Sequence, residues 1–337
     1  MPQRAGEWSF LDPARGKGQP FHLPHTTAGT AMREPHLPPA TCHLPAVVVF
    51  TRPAIAGHAK TRLIPLLGQR GAATLQAAFI SDTLRKVARL KESVQPYLFL
   101  AGDSVTLRRS AVRAPRAPSW PPACIRSFRT IRQQGKDLGD RLENAFRRLL
   151  LLHPSCVVIG TDSPLIPARL LRQALRELQA CESVLGPCPD GGYYLIALRR
   201  PAHPGMLRGI FRSVRWSTAF AFRDTLGSLL RRGFSCSVLE GYADVDLPRD
   251  VHRLKENLSR SRKARRLAPA TWRFLKTSVV RRPLQKLGMW HEATNSGRLP
   301  PDNGQRTTDS GPLITGDCPS YSRTCAIHPP TNTSSPS

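Results

Sequence analysis

Ala46-Val-Val-Val-Phe50, a β-branched apolar run between Pro45 and Pro53, is the stretch on which the fold turns. It is too short for a helix and has no polar alternate position, so it is predicted to be a strand buried on both faces. A loop follows to Arg62. From Gly71 to Leu90, Ala72, Leu75, Ala78, Phe79 and Leu84 recur at helical spacing. The unit is therefore strand, loop, helix, and the same alternation continues along the chain. Tyr97–Ala101 reads as a second strand, Leu138–Leu152 as a helix and Cys156–Gly160 as a third strand. Beyond it come a helix over Leu170–Cys181, strands at Ser183–Gly186 and Tyr193–Ala197, a helix over Ala221–Arg232 and a strand at Ser235–Leu239. Such alternation predicts an α/β fold with a mostly parallel sheet covered by helices on both faces, a three-layer α/β/α sandwich.

The flanks have a different composition. Residues 1–44 combine Pro, Gly, His and Thr with few aliphatic side chains and are expected to form a disordered leader. The folded domain is expected over 45–257. The remainder, 258–337, is expected to be a basic, mostly disordered tail, with a short helix near Trp272 to Val279. No stretch approaches the roughly 20 apolar residues that span a bilayer, so no membrane span and a cytoplasmic location are expected. The eight cysteines show no CxxC pair and read as reduced thiols, with Cys156 and Cys236 as core packing. Lys and Arg number 50 against 23 acidic residues, a formal charge of +27. The arginines are scattered, and neither a helix-turn-helix pattern nor an RNA-binding aromatic signature accompanies them. This argues against sequence-specific nucleic-acid recognition and for a general attraction to phosphorylated ligands.

Open α/β sheets place ligands beyond the carboxyl ends of their strands, and four such places here are polar and glycine-bearing. Gly57-His-Ala-Lys60-Thr61-Arg62-Leu63 could cradle a diphosphate with backbone amides, the Lys60 charge and the Arg62 fork; it lacks the P-loop order. Gly160-Thr161-Asp162-Ser163-Pro164 offers a strand-end carboxylate to a divalent cation such as Mg2+ or Mn2+, with a helix N-cap as the alternative reading. Gly186 through Asp190-Gly191-Gly192-Tyr193-Tyr194 is a turn that brings backbone close to a ligand, and also a hairpin signal. In Asp244-Val245-Asp246-Leu247-Pro248 the two acids share one side of an extended segment. Asp246 could supply a second metal carboxylate, or could cap the helix entered through Pro248.

Taken in order, these motifs resemble the bacterial family of type A-like glycosyltransferases long catalogued as a domain of unknown function and often described as arsenosugar-biosynthesis glycosyltransferases. The resemblance rests on GHAKTRL (57–63), KDLGDRL (136–142), VVIGTDSP (157–164), VLGPCPDGGYYLIAL (184–198), RWSTAF (215–220) and DVDLPRD (244–250). It covers about residues 46–256. Ala56, Ser163 and Leu247 depart from the family's usual proline, cysteine and threonine without removing a charge. The resemblance implies a single nucleotide-diphospho-sugar transferase domain of GT-A, Rossmann-like type. Gly57, Lys60, Arg62 and Gly160 would lie near the nucleotide phosphates, and Asp162 and Asp246 would hold the metal. The expected reaction is metal-dependent transfer from a nucleotide-activated sugar to a small-molecule acceptor, with Asp162, Asp190 and Tyr193 in catalytic roles. The KTRL-type loop is also similar to that of guanylyltransferases, which makes nucleotidyl transfer to a small phosphorylated acid or cofactor the second expectation. A catalytically idle, nucleic-acid-binding relative is the third.

Overall fold

β-Branched and aliphatic residues with no polar break form β1 at Ala46–Thr51, where every side chain is buried. The computed structural model describes residues 41–102, 123–277 and 325–327. From β1 the chain turns through the loop to a single 3-10 turn, Thr61–Leu63, and enters α1, Ile64–Ala88, which kinks at Gly68. Next come β2 (Gln95–Leu100), β3 (Arg129–Arg132), α2 (Leu138–Leu149), β4 (Ser155–Ile159), α3 (Ala168–Ala180), β5 (Ser183–Pro187) and β6 (Tyr193–Arg199). The described part continues with α4 (Ala221–Arg231), β7 (Cys236–Val238), α5 (Pro248–Arg260), α6 (Arg262–Leu267), α7 (Pro269–Thr277) and the short β8 (Cys325–Ile327).

The strands form one sheet in the order β3-β2-β1-β4-β6-β5-β7-β8. β1, β2, β3 and β4 run parallel, as do β5 and β7. β6 runs antiparallel to both of its neighbours and β8 to β7, so the sheet is mostly parallel, as expected, with β6 and β8 as its two reversed strands. A turn of a few residues joins β5 to β6, and a connection that short can only reverse the chain.

The period-two alternation of β1 divides the core. Val48 and Phe50 face Leu142, Phe146 and Leu149 of α2 and Leu229 of α4. Val47 and Val49 face Ile80, Leu84 and Val87 of α1 and Leu170, Leu171 and Leu178 of α3. These are the two helical layers of the sandwich. A third cluster lies on the outer side of α1, where Leu63, Leu75 and Phe79 pack on Val251, Leu254 and Leu258 of α5 and on Leu275 of α7. The ordered helices thus run on past residue 257 to Thr277, and the reason is chemical. α7 carries Ala270, Thr271 and Leu275 into full burial, which a solvated basic tail would not. Residues 1–40 and the tail from 278 to 324 lie outside the described residues. No described helix is long and apolar enough to cross a membrane.

Candidate active site

Parallel neighbours end at the same sheet edge, so the loops after β1 and β4 meet there. The loop after β1 ends at Lys60, held in the left-handed region at φ 46°. Its ammonium is almost fully buried and lies 2.7 Å from Asp162 Oδ1, 2.7 Å from Asp246 Oδ1 and 2.8 Å from the Val245 carbonyl oxygen. A lysine has three donors, and these acceptors engage all of them. Burial alone would lower the Lys60 pKa, but the adjacent Asp162 and Asp246 outweigh it, and the value is raised. The ring of Phe79 on α1 lies 5.6 Å from the same nitrogen.

Asp162 leaves the end of β4 in a loop whose carbonyl accepts from Val245 N at 2.9 Å. This tie draws the segment 244–246 alongside. Asp250, in the first turn of α5, accepts from the amides of Asp246 and Leu247 at 3.2 and 2.8 Å. Capping at the start of α5 thus falls to Asp250, while the Asp246 carboxylate is turned to Lys60. The helix after Asp162 starts from Pro167 with no side-chain cap, so Asp162 is not spent on capping either. Both carboxylates keep solvent access, with side chains 48% and 38% exposed.

Beside this triad lies a small open cleft of about 140 Å3, lined by Gly160, Asp162, Ser163, Cys188, Asp190, Gly192, Tyr193, Tyr194 and Asp244. The β5–β6 turn supplies one wall. Gly191 has φ +85°, and a Cβ there would sit 2.0 Å from the Ala219 carbonyl oxygen, so only glycine fits. Asp190 Oδ1 accepts from Gly192 N at 3.0 Å, which sets its carboxylate at the mouth. Asp244 stands in the same cleft, and burial together with the charges of Asp190 and Asp246 pushes its carboxyl up to about 6. The sequence placed Asp244 on the same side as Asp246. What singles it out is a tertiary sum of neighbouring charges that no local pattern carries.

Several expected residues take different places. The Gly160 amide already donates to the Tyr194 carbonyl at 3.0 Å, prolonging the β4–β6 ladder, so it has no donor left for a phosphate and only lines the cleft. The Tyr193 hydroxyl is buried beside Thr225, and burial raises its pKa. What Tyr193 offers is its ring, edge-on to Trp216 with centroids 6.2 Å apart. Arg62 is exposed and makes no ion pair among the described residues. Gly57, at φ +82°, allows the loop its left-handed turn but lies outside the cleft lining. Lys60, Asp162 and Asp246 are therefore brought together. Asp162, Asp190, Gly160 and Tyr193 share one cleft, and Gly57 and Arg62 stand apart from it.

The helix-covered sheet of this chain has the fold of the nucleotide-diphospho-sugar transferases. The family described as "Uncharacterized protein conserved in bacteria (DUF2064)" matches residues 83–218, which bears out the family resemblance drawn from the motifs. A solved structure from Desulfovibrio desulfuricans G20, provisionally named a nucleotide-diphospho-sugar transferase, aligns with a TM-score of 0.58 and 27% identity, covering 70% of this chain and 95% of that one. A 4-diphosphocytidyl-2C-methyl-D-erythritol synthase from Anaerococcus prevotii DSM 20548 aligns at 0.44 with 11% identity over 64% of this chain and 96% of that one. A manganese complex of Rv0371c from Mycobacterium tuberculosis H37Rv aligns at 0.37 with 21% identity, over 64% of this chain and 100% of that one. No curated protein matches the chain.

Proposed function

We propose that this chain is a metal-dependent transferase that moves a sugar from a nucleotide-activated donor to a small-molecule acceptor. The observation that carries the reading is the convergence of Asp162 and Asp246 on Lys60, next to a cleft holding Asp190 and Asp244. The likeness to the Desulfovibrio protein supports the donor class.

The donor set suits a hard divalent cation. Among the described residues no three acidic, His or Cys side chains form a ready coordination shell. Mg2+ and Mn2+ nonetheless bind through one or two carboxylates completed by phosphate oxygens and water. The Asp244 carboxyl is raised first by burial and then by the charges of Asp190 and Asp246, and it is the second contribution that a cation would relieve. Asp162 and Asp246 would hold it. When bound, the ion would stabilise the charge that develops on the departing nucleoside diphosphate.

The chain's own groups then divide the work. Lys60 holds the two carboxylates at one point and neutralises half of their charge. It can reach a phosphate only by releasing one of its three acceptors, so the free guanidinium of Arg62 is the better direct phosphate ligand. Asp190 at the cleft mouth is placed to take the proton of an acceptor hydroxyl as general base. The Tyr193 ring closes the wall behind the sugar. Replacement Asp162→Asn should abolish Mn2+-dependent nucleotide-sugar binding in titration calorimetry; an unchanged affinity rejects the metal role.

A second reading, nucleotidyl transfer, draws on the Gly57–Leu63 loop leading straight into α1. Pyrophosphate release across the four nucleoside triphosphates separates it from glycosyl transfer.

A further inference from the structure

One polar pair lies under the site, buried between α1 and the last described helix. Asp82 is 1% exposed, and its carboxylate accepts from Ala270 N and Thr271 N, both at 2.9 Å, and from the Thr271 hydroxyl at 2.7 Å. It therefore caps the N-terminus of α7 through two backbone donors and a side chain. One turn further along α1, Lys86 is 6% exposed and donates to the carbonyl of Pro164, two residues beyond Asp162. Burial lowers the Lys86 pKa to about 8, with Asp82 opposing the shift. Burial likewise raises that of Asp82 against the donors of α7. A charged pair this deep is costly, and apolar residues would pack α1 equally well. Its presence calls for a reason other than stability.

We propose that Lys86 is a positioning residue for the Asp162 loop, and that Asp82, held by helix Pro269–Thr277 one turn away on the same face of α1, supports it with the opposite charge. Two juxtapositions carry this: Lys86 donates to the Pro164 carbonyl while Val245 N donates to the Asp162 carbonyl from the other side, and Asp82, fixed by the α7 amides and the Thr271 hydroxyl, stands one turn before Lys86 on α1 and acts on it through charge rather than through a hydrogen bond. The Asp162 loop is gripped from both sides, by Lys86 on α1 and by Val245, which lies outside the 83–218 stretch of the family match. The inference rests on the reading of Asp162 as a site carboxylate.

The test uses the full chain and compares Lys86→Met, Thr271→Val and Thr271→Ser with Leu229→Ala, a core truncation in α4 remote from these contacts. Hydrogen–deuterium exchange is followed in the peptide spanning residues 160–166, well below each variant's melting temperature. Lys86→Met is expected to speed exchange there about tenfold, the loss of one hydrogen bond to a charged group. Thr271→Val should give a smaller effect in the same peptide. Thr271→Ser, which keeps the hydroxyl, should restore the wild-type rate, and Leu229→Ala should leave the peptide unchanged. In parallel, Lys86→Met should weaken uridine or guanosine diphosphate binding with Mn2+ about tenfold. Exchange in 160–166 that stays at the wild-type rate in Lys86→Met, or that rises equally in Leu229→Ala, overturns the proposal. Faster exchange with no diphosphate bound by any form upholds the positioning role and removes the transferase reading instead.

Discussion

Asp244 shows how much of a site is decided by summed neighbours. Its carboxyl is raised to about 6 by partial burial and by Asp190 and Asp246, with Lys60 opposing. A folded-state value above the unfolded one means that the folded protein binds this proton more tightly. The stabilisation is therefore complete below the unfolded value near 3.8 and is lost as the pH climbs through 6. Asp244→Asn removes the titration. The variant should be more stable than the parent above pH 6, by about 1–2 kcal/mol once solvent screening is allowed for, and the advantage should vanish near pH 4. Urea unfolding of both forms between pH 4 and 8 measures it, and a pH-independent difference would contradict the assignment. At this scale the sequence pointed to Asp162, because a polar residue shortly after an apolar run must emerge at the sheet edge, and to Asp246 as one of two acids on the same side of an extended segment. The Tyr193 hydroxyl was not legible. Strand alternation tells which face a ring takes and says nothing of where its tip ends, and here the tip meets Thr225 in the core.

Among the elements, the β5–β6 turn has the least freedom. Cys188 N donates to the Gly192 carbonyl at 2.9 Å, and Phe222 N in the first turn of α4 donates to the Gly191 carbonyl at 2.8 Å, tying to the turn the helix start that the 215–220 loop enters. Gly191→Ala would combine a left-handed backbone with a Cβ driven into Ala219. The expected loss is about 3 kcal/mol or more, since left-handed strain alone costs roughly 1–3 kcal/mol. Thermal unfolding checks this, and a melting point equal to wild type would mean that the 215–220 loop is not seated on the turn. The same turn explains what sequence periodicity conveyed and what it did not. Apolar runs located β1, β2, β4, β5, β6 and β7 to within a residue or two, because each is buried on both faces. Their direction depended on connection length: the mostly parallel sheet followed from the strand–helix alternation, and the reversal of β6 from the short turn after Pro187, which the sequence offered as a hairpin signal. β3, Arg129-Thr-Ile-Arg132, was invisible because it is an edge strand with one partly buried apolar residue and three exposed polar ones.

For the molecule as a whole, the question is where the functional domain ends. Composition set the boundary at 257, since the stretch beyond it is basic and broken by Pro269. The structure shows that scattered positions in that basic stretch, Ala264, Ala268, Ala270, Thr271 and Leu275, are buried against α1. The helices are too short for periodicity to separate them from a charged tail, because the apolar positions fall on three successive elements. A chain ending at Asn257 would uncover parts of Leu63, Leu75 and Phe79, each worth about 1.5–3 kcal/mol when fully buried. It would also remove the three donors that Asp82 accepts from, each hydrogen bond to a charged group contributing about 1.5–3 kcal/mol. Together these losses rival the roughly 5–15 kcal/mol that holds a domain of ordinary stability. The truncated chain is therefore expected to lose its cooperative thermal transition in circular dichroism and its sharp near-ultraviolet signal. If it instead melts cooperatively within a few degrees of the full-length protein, α6 and α7 are an appendage and their hold on Asp82 gives no support to the site above it.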